Sequence, residues 1–543
     1  MTGGELLIAC LKRQGVRAVF GMPGTQNIHL YDALDRTGEG IAHYLIRNEQ
    51  TATLLAGGFA RATGEVGVAI TVPGPGATNA STGIVDAYTD CQPVLLITGG
   101  YDRPLAKRDR SKLFHGLDQE AFFRPITRYF GCPQTPEEIP QVVDRAFRAM
   151  LSGRPGPAVI EVPPDLAAQE CGSEIPVPGR IRAARDKRPE REAIVEAAAK
   201  IASWRRPAIL VGGDVAASDA VEALRHLAER VEAPVIETRL GKGVVSAEHR
   251  WYAGHCREPH VRELLQQADG LLAVGVRFTQ IDTSNWRAEY PRSLVQLDRD
   301  PNELGREVAI ELGIAGDLQP SLEMLAEDLR VAGKESDRAE WHRLFADKKR
   351  EADARPAVPV LSQIREALPR DGIVSVDITS LGYRAFGEFP VYEPRQFLYS
   401  CHSVALGSAF PHALGAKIAC PERAVVSFSG DGGFLMTCYE LATAVEHKIN
   451  VVAVVAADEC LLAIKAAQQK AFDGRAIDTD MRVPDFVALA QSFGAAAERV
   501  EDFNDLVPAI RAGLNREGPT VLEVPLAGRV EEIKAEIPWL KSR

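Results

Sequence analysis

Short apolar runs that end in glycine- or proline-rich turns alternate with helical patterns along almost the whole chain. In the first third, GELLIACLKRQG has the apolar spacing of a helix, whereas VRAVFGMPG, VGVAITVPGPG, PVLLITGG and GPAVIEVPPD have the length and composition of buried strands. Similar runs follow: PAILVGGD, APVIET, GLLAVGVRF and SLVQLDRDP, then GIVSVDIT, AVVSFSG, NVVAVVAAD and PTVLEVPL. Strands that alternate with helices form parallel sheets covered on both faces, so the pattern predicts an α/β fold.

The chain has 543 residues, more than one hydrophobic core organises. Two polar stretches, GSEIPVPGRIRAARDKRPE and EWHRLFADKKREADARP, interrupt the apolar runs. We therefore predict three doubly wound parallel-sheet domains in series, at residues 1–171, 191–335 and 356–543. The first and third have similar size and the same rhythm of strands and helices.

Composition excludes several classes of protein. The net charge of −11 argues against a nucleic-acid surface. No apolar run reaches the length of a membrane span, and the N-terminal residues lack the pattern of a signal peptide. The nine cysteines include no CxxC pair, which is typical of a reducing compartment. We expect a cytoplasmic protein that binds neither nucleic acid nor membrane.

One stretch, VVSFSGDGGFLMTCYELATAVEHKINVVAVVAADEC, places two acids after two apolar runs. The pattern predicts a strand at Val425–Phe428, a turn at Gly430–Gly433, one amphipathic helix at Leu435–His447 and a strand at Asn450–Val455. Asp431 and Asp458 then lie at the edge of the sheet where parallel α/β folds bind ligands.

The residue types at this edge suit a phosphate and a metal ion. Glycines beside Asp431 let backbone N–H groups approach an anion, and carboxylate with phosphate oxygens is the ligand set of Mg²⁺. The alternative is that GDGG is an ordinary turn. A P-loop nucleotidase is disfavoured because the chain contains no G-x-x-x-x-G-K-[ST]. Thr379 and Ser380 follow the run GIVSVDI, where their hydroxyls either bond phosphate oxygens or cap the next helix.

Taken together, these motifs carry a resemblance. Gly430-Asp431-Gly432 followed by an acid at position 458 resembles the thiamine diphosphate fingerprint, GDG and then Asn some 27 residues later. RNEQTATLLAGGFARATG, TVPGPGATNASTGIVDAYTDCQPVLLITG and SVALGSAFPHALGAK are similar to other segments of the same enzymes. Over essentially its whole length the chain resembles the thiamine diphosphate-dependent decarboxylases and carboligases, and among them most resembles acetolactate (acetohydroxyacid) synthase.

The resemblance implies a role for each matching residue. Glu49 would bond the aminopyrimidine ring of the cofactor and promote its imino form, although by itself it reads as a solvated charge at a helix N-terminus. Leu406 would force the two cofactor rings into a V, and the carbonyl of Val404 would accept from the aminopyrimidine. Asp431, Asp458 and the carbonyl of Cys460 would hold Mg²⁺. The remaining cofactor contacts would come from Pro23, Asn79, Thr379, Ser380, Gly430, Gly432, Gly433, Leu461 and Leu462.

Position 458 departs from the family pattern, because it is Asp where relatives have Asn. Asp is a competent Mg²⁺ ligand, but it adds a negative charge beside the diphosphate. We therefore expect cofactor affinity to be unusual. In the second block, AGHCREPH stands where acetohydroxyacid synthases have a flavin-binding loop, so we expect no FAD.

The substrate pocket departs from acetolactate synthase as well. The expected pocket residues are Thr25, Phe114, His115, Gln119, His402, Lys465 and Ala467, of which Thr25 and His115 join Glu49 and Leu406 as expected catalytic residues. His115 replaces a family Gln and either shuttles protons or only makes hydrogen bonds. Ala467 stands where many relatives have Trp, which predicts a wider acceptor pocket. Lys465 either meets a substrate carboxylate or is solvated, and His402 adds bulk where relatives have glycine.

The resemblance predicts an enzyme that uses thiamine diphosphate and Mg²⁺ to decarboxylate a pyruvate-like 2-oxo acid and pass the acyl unit to an acceptor. The alternatives are a simple 2-oxo acid decarboxylase, a 2-hydroxyketone or acyl-CoA lyase, and a regulatory paralogue that binds the cofactor without turnover. In this family the cofactor lies between two chains. We therefore expect a homodimer in which Glu49 of one chain meets Asp431 of the other, or a homotetramer of such dimers.

Overall fold

The computed structural model describes residues 1–172, 175–181, 188–329, 335–355 and 357–526. Residues 173, 174 and 182–187 of the first predicted linker, residues 330–334 of the predicted second domain, and residues 356 and 527–543 of the predicted third domain lie outside the described residues. The described strands form three six-stranded sheets, and their strand pairs are parallel. The expected fold class, α/β with three parallel-sheet domains in series, is confirmed. The domain borders remain a prediction.

The first sheet has the strand order β2-β1-β3-β4-β6-β5. Its strands are β1 (Ala18–Gly21), β2 (Ala42–Leu45), β3 (Gly67–Thr71), β4 (Val94–Gly99), β5 (Tyr129–Gly131) and β6 (Ala158–Val162). Its helices are α1 (Gly3–Gln14), α2 (Ile28–Thr37), α3 (Glu49–Thr63), α4 (Pro75–Thr89), α5 (Gln119–Phe123), α6 (Glu138–Leu151) and α7 (Pro164–Ala168).

The second sheet has the order β12-β11-β10-β7-β8-β9. Its strands are β7 (Pro207–Val211), β8 (Val235–Glu237), β9 (Tyr252–His255), β10 (Gly270–Val274), β11 (Ser293–Asp298) and β12 (Leu312–Ala315). The helices of this block are α8 (Arg191–Ser203), α9 (Asp214–Ala217), α10 (Val221–Val231), α11 (Pro259–Gln267), α12 (Leu318–Asp328) and α13 (Glu335–Asp353).

The third sheet has the order β14-β13-β15-β16-β18-β17, which repeats the connectivity of the first. Its strands are β13 (Ile373–Val376), β14 (Phe397–Leu398), β15 (Val425–Gly430), β16 (Val452–Ala457), β17 (Ala496–Arg499) and β18 (Thr520–Pro525). The helices are α14 (Pro359–Ala367), α15 (Ser380–Glu388), α16 (Ala409–Ala419), α17 (Asp431–Leu435), α18 (Leu441–Glu446), α19 (Leu462–Ala471), α20 (Phe486–Ser492) and α21 (Leu506–Leu514).

Each face of the first sheet is buried, and successive residues of a strand point to opposite cores. Val19 and Leu95 pack with α1 and α6 in one core, whereas Phe20 and Leu96 pack in the other. That second core also contains side chains of α16 and of the third sheet, such as Phe410 and Val425. The apolar strand runs of the sequence are therefore explained by burial on both faces.

The chain divides into two compact units. One contains the first sheet and nearly all of the third, and the other contains the second sheet. In the first unit α3 packs directly against α16: a Cβ atom at Gly58 would lie 2.2 Å from the carbonyl oxygen of His412, and one at Gly415 would lie 2.0 Å from that of Leu55. Glycine at these two positions permits the close contact. None of the described helices combines the length and the apolar composition needed to cross a membrane.

The expected turn at Gly430–Gly433 and the expected single helix at Leu435–His447 are both wrong. Gly430 ends β15, and helix α17 begins directly at Asp431. Helix α17 ends at Leu435, a single 3₁₀ turn covers Cys438–Glu440, and α18 begins at Leu441. Tertiary contacts bend the segment: Thr437 Oγ1 donates to the carbonyl of Gly407 (2.8 Å). The carboxylate of the buried Glu440 accepts from the Arg47 N–H (2.8 Å) in the first block. A continuous helix would not satisfy these bonds.

Candidate active site

Three acids follow three neighbouring strands of the third sheet. Asp377 comes after β13, Asp431 after β15 and Asp458 after β16, and these strands lie side by side. The connections from β13 and β15 run in opposite directions along the sheet, so the strand order reverses between them. Ligands of open α/β sheets bind beyond the carboxyl ends of the strands at such a point. The topology therefore makes the expected edge the candidate ligand site.

The carboxylate of Asp431 joins the turns that follow β15 and β16. Its Oδ1 accepts from the Gly432 N–H (2.6 Å) and its Oδ2 from the Glu459 N–H (2.7 Å). Burial raises the pKa of Asp431, while the N–H groups of Gly432 and Glu459 favour its ionised form. The two bonds hold both carboxylate oxygens in one orientation beyond the carboxyl ends of the strands.

Asp458 lies next to Asp431, and the negative charge of Asp431 disfavours the ionised form of Asp458. Burial and then the charge of Asp431 raise its pKa to about 7, although the Cys460 N–H donates to its Oδ1 (3.1 Å). A divalent cation between two such carboxylates would remove the repulsion. These donors fit Mg²⁺. Cys460 itself pairs in a short bridge with Asp480.

A side chain at any glycine of the GDGG segment would contact its neighbours closely. A Cβ atom at Gly430 would lie 3.2 Å from Thr379 Cγ2, and one at Gly433 would lie 2.7 Å from Asp377 Oδ2. One at Gly432 would lie 3.1 Å from Met481 Cε. The glycines therefore leave a bare backbone surface beside the Thr379 hydroxyl and the carboxylates of Asp431 and Asp458. Such a surface fits a diphosphate that shares a metal ion with the two carboxylates.

Asp377 was missed as a site residue, although it stands within the DITS segment from which Thr379 and Ser380 were taken. It is buried, and its carboxylate accepts from the N–H groups of Ile378 (2.7 Å) and Gly407 (3.0 Å). Burial raises its pKa to about 6 against these two bonds. Its position after a strand that is a neighbour of β15 is the signal that could have identified it.

The loop before α16 carries the two residues expected near the cofactor rings. Val404 has a positive φ of 54°, which a β-branched residue rarely adopts. Hydrogen bonds hold two of the residues that follow it: Ala405 N–H donates to Ser400 Oγ (2.9 Å) and Gly407 N–H to Asp377. The Leu406 side chain is 37% exposed. The loop thus presents the apolar side chain of Leu406 to solvent in the single chain.

Glu49 is the first residue of α3, and its carboxylate is buried rather than solvated. Asn79 Nδ2 donates to its Oε2 (3.1 Å), and a Cβ atom at Gly76 would lie 3.1 Å from its Oε1. Asn48 caps the helix by accepting from the Gln50 N–H. The predicted residues Glu49 and Asn79 are therefore brought together at the N-terminus of α4.

His115 lies against the same helix N-terminus, because a Cβ atom at Gly74 would lie 2.6 Å from its carbonyl oxygen. The hydroxyl of Tyr101 donates to that oxygen (2.5 Å), and φ of His115 is 58°. The Phe114 ring stacks on the His115 imidazole with 4.0 Å between the ring centroids, and Phe114 is 69% exposed. Of the other predicted residues in this block, Thr25 and Pro23 are exposed in the turn after β1.

Gln119 is buried and engaged within the first block. Its Oε1 accepts from Thr98 Oγ1 (2.9 Å) and its Nε2 donates to the carbonyl of Gly99 (3.0 Å). Beside it, burial raises the pKa of Glu161 to about 7, against the charge of Arg110 and the hydrogen bond of Gln119. The contacts of Gln119 are those of a residue that supports the strand ends.

The raised pKa of Glu161 predicts a pH-dependent stability. Its ordinary value is 4.5 and its folded value about 7, so its contribution is fully present below pH 4.5 and is lost as pH rises through 7. We expect Glu161→Gln to gain up to about 3 kcal/mol in the free energy of unfolding relative to wild type between pH 4.5 and 8. Urea unfolding across this range measures it, with Glu65→Gln as the exposed control. Parallel curves for Glu161→Gln and wild type would contradict the prediction.

Helix α19 places Leu461 and Leu462 at its start, next to Asp458. Lys465 Nζ forms an ion pair with Asp480 (2.6 Å), a partner that the chain itself supplies. Ala467 is half-buried on the same helix. His402 also has a partner, because its Nδ1 lies 2.6 Å from Asp90 Oδ1. Since a carboxylate only accepts, that nitrogen carries the proton.

The residues expected to act together fall into two half-sites. The bonds of Glu49 come from the first block and those of Asp431 from the third. Large apolar side chains are exposed in both blocks, among them Ile28, Phe114, Leu406, Met436 and Ile464.

A different cluster in the second block, His255, Cys256 and Asp282, has metal-ligating atoms within 4.8 Å of one another. Burial and the nearby Arg239 lower the pKa of His255 to about 3 against the charge of Asp282. Arg257 also acts on the imidazole and on the Cys256 thiol. These guanidinium charges oppose a cation, so the cluster is a poor metal site compared with Asp431 and Asp458.

The chain matches three models of one family along its length. Residues 1–122 match the N-terminal TPP binding domain of thiamine pyrophosphate enzymes, residues 194–325 the central domain, and residues 377–524 the C-terminal TPP binding domain. The two matched TPP binding domains contain the two half-sites.

Similar proteins extend over nearly the whole chain. A probable acetolactate synthase large subunit of Methanocaldococcus jannaschii is 34% identical over 96% of this chain and 92% of its own length. A probable 2-ketoarginine decarboxylase, AruI, of Pseudomonas aeruginosa is 34% identical over 96% and 94%. An acetolactate synthase of Bacillus subtilis is 32% identical over 96% and 93%.

Proposed function

Because this chain belongs to the thiamine pyrophosphate enzymes, which make or break carbon–carbon bonds, we propose that it is an acetolactate synthase-like carboligase. It would decarboxylate a pyruvate-like 2-oxo acid and transfer the acyl unit to a second carbonyl compound, with CO₂ as the only other product. The observation that carries the proposal is the buried carboxylate of Glu49, oriented by Asn79. A protein that only bound the cofactor would have no use for an oriented carboxylate there.

Each chain residue has a definite task in this proposal. Thiamine diphosphate, when bound, supplies the carbon nucleophile and the electron sink for decarboxylation. Asp431, Asp458 and the Cys460 carbonyl would hold Mg²⁺, and the bare backbone at Gly432 and Gly433, with Thr379 and Ser380, would receive the diphosphate. The Val404 carbonyl would accept a hydrogen bond from the aminopyrimidine, and Leu406 would keep the surroundings of the cofactor rings apolar. We propose that the central domain works without FAD.

A second copy of the chain would complete the site. The exposed apolar side chains of the two half-sites, among them Phe114 and Leu406, would then be covered and water excluded from the reacting atoms. We propose a homodimer in which Glu49 of one chain serves the Asp431 half-site of the other. A homotetramer of such dimers keeps this arrangement and is equally compatible with the proposal.

Simple decarboxylation is the second candidate, because imidazole replaces the expected amide at His115. Its buried Nδ1 has no hydrogen-bond partner among the described residues, so it remains available for proton transfer. A proton donor near the reacting carbon favours protonation of the acyl unit and release of an aldehyde. The relative from Pseudomonas aeruginosa, which is named as a decarboxylase, makes 2-ketoarginine a substrate worth testing.

The test is a product screen by NMR with protein, Mg²⁺ and thiamine diphosphate. Pyruvate, benzoylformate and 2-ketoarginine are supplied singly, and then each with a second carbonyl acceptor. A 2-hydroxy-2-acyl product supports the carboligase, and an aldehyde assigns the decarboxylase instead. Turnover of none of these acids by a protein that binds the cofactor would reject both. The Glu49→Gln variant is the control for background conversion.

The acid at position 458 predicts an unusual balance of affinities. In Asp458→Asn one negative charge beside the diphosphate is removed, so we expect about tenfold tighter binding of thiamine diphosphate at saturating Mg²⁺. The affinity for Mg²⁺ alone should fall, because an amide is a weaker ligand than a carboxylate. Separate calorimetric titrations with metal and with cofactor measure the two effects. Weaker cofactor binding at saturating Mg²⁺ would contradict the prediction.

A further inference from the structure

Buried carboxylates connect the first block to the loop that carries Val404. Asp90, at the end of α4, is almost fully buried and accepts from the N–H groups of Cys401 (2.8 Å) and His402 (3.1 Å). It also accepts from His402 Nδ1 (2.6 Å). One side chain of the first block therefore holds two consecutive amides of a third-block loop.

Asp86, one helical turn earlier, reaches further into the same loop. Its Oδ1 accepts from Ser400 Oγ (2.5 Å), and that hydroxyl oxygen accepts from the Ala405 N–H (2.9 Å). The chain of bonds thus ends on Ala405, the residue after Val404. The φ of Val404 is 54°, which is a strained value for a β-branched residue. Strained backbone persists only where its surroundings hold it, and these bonds are such surroundings.

Arg61 lies between the two acids and offsets part of their charge. Its Nη2 donates to Asp86 Oδ2 (2.7 Å) and to Asp90 Oδ2 (2.9 Å). Arg61 stands near the C-terminus of α3, the helix that begins at Glu49. The ion cluster therefore touches both elements that one chain contributes to catalysis, the Glu49 helix and the Val404 loop.

A reciprocal contact runs from the third block to the first. Glu440 is fully buried, and its Oε1 accepts from the Arg47 N–H (2.8 Å) and from Thr51 Oγ1 (2.5 Å). Thr443 Oγ1 donates to its other oxygen (2.5 Å). The two first-block partners flank Glu49, so a third-block carboxylate holds the segment that presents the expected catalytic acid.

Stability alone is a weak explanation for these charges. Burying a carboxylate costs several kcal/mol in lost hydration, and well-packed apolar groups are often as stable as a buried ion pair. Bonds to ionised groups are short and directional, so they fix the position of the backbone they bind. Three carboxylates form such bonds across the contact between the two domains, and each binds a segment of the candidate site. This arrangement suits the positioning of these backbone segments.

We propose that Asp86, Asp90 and Glu440 are positioning residues: each is buried in one domain and holds in place the active-site segment of the other. Asp86 and Asp90 set the loop Ser400–Leu406, and Glu440 sets the segment 47–51 at the start of α3. The assignment of these segments to the active site rests on the proposed function.

Hydrogen–deuterium exchange of the cofactor-free full-length protein tests the positioning directly. Asp90→Asn should speed exchange of the Cys401 and His402 amides by at least about tenfold, and Glu440→Gln that of the Arg47 amide, because each amide loses a charge-assisted bond. Neither variant should speed exchange in the segment held by the other. Unchanged exchange, or an increase spread over the whole unit, would overturn the proposal.

Cofactor binding separates this proposal from the proposed function. With Mg²⁺ present, Asp90→Asn should weaken the Kd for thiamine diphosphate by about tenfold, because the loop must be ordered on binding. Glu440→Gln should lower kcat more than it raises KM. Local loosening without any change in Kd or kcat would keep the positioning of the segments but reject their place in the active site.

A matched control and two milder variants complete the experiment. Asp165 also accepts from a backbone N–H and a guanidinium, both of Arg103, but lies within the first block, so Asp165→Asn should leave both segments unchanged. If Asp90→Asn or Glu440→Gln does not fold, Ser400→Ala and Thr51→Val each remove single bonds to these acids. They should speed exchange at Ala405 and Arg47 respectively; unchanged exchange in both would overturn the proposal.

Discussion

Glu49→Gln is expected to lower turnover by about 10²- to 10⁴-fold while thiamine diphosphate binding stays within a few-fold of wild type. Gln fills the same volume and still accepts the hydrogen bond from Asn79 (3.1 Å in the wild type), so the start of α3 should remain in place. It cannot share or accept a proton as a carboxylate does. Steady-state kinetics and calorimetric titration of the cofactor measure the two quantities.

The exchange of the cofactor C2 proton in deuterated water, measured by NMR, tests whether the loss of turnover arises from failure to remove this proton. We expect wild type to accelerate this exchange and Glu49→Gln not to do so. Glu65→Gln, an exposed acid of the same block that pairs with Arg17, is the matched control and should behave as wild type. A Glu49→Gln variant that no longer binds cofactor would show that Glu49 serves binding rather than activation.

Asp431→Asn is expected to weaken Mg²⁺-dependent cofactor binding by about a hundredfold or more. The substitution removes the more deeply buried of two adjacent carboxylates, so the site loses charge and a hard oxygen ligand. It also leaves the Gly432 and Glu459 N–H groups with one acceptor oxygen between them, because an amide has only one. Titration of thiamine diphosphate at a series of Mg²⁺ concentrations measures the change.

Asp458→Asn is the informative comparison, since it places the same amide at the neighbouring ligand position. We expect it to retain cofactor binding where Asp431→Asn loses it, because the family pattern has Asn at position 458 and the Asp431 carboxylate remains. Circular dichroism and urea unfolding check that both variants fold. Equal losses in the two variants, or Mg²⁺ dependence unchanged in Asp431→Asn, would contradict the assignment of Asp431 as the main metal ligand.

The central strands of all three sheets were predictable from the sequence, whereas the edge strands were not. The six strands missed among the described residues are β2, β5, β9, β12, β14 and β17, and each lies at the edge of its sheet. Each of the six contains at least one partly exposed residue, and β2 and β17 contain no buried residue at all. An edge strand needs no continuous apolar run, because one side of it faces solvent or a loop. Its sequence therefore resembles that of a turn.

The edge of the third sheet that carries the expected phosphate and metal ligands was also predictable from the sequence, because these residues follow strands and lie close together in the chain. Gly430, Asp431 and Asp458 belong to one β-α-β unit, and the parallel sheet brings the ends of neighbouring strands to one edge. Asp377 follows the same rule. It was missed because the hydroxyls beside it offered a more familiar phosphate contact.

The sequence by itself determined the fold class, the family resemblance and the residues that follow each central strand, because these depend on local periodicity and short motifs. Only the tertiary structure decided how the segments are held. Ser400 and Asp86 are separated by 314 positions, and the Arg47 amide and Glu440 by 393. No local pattern marks such partners, because Asp86 and Glu440 resemble solvated acids in the sequence. Only the packing of the first block against the third buries them and supplies partners that are distant along the chain.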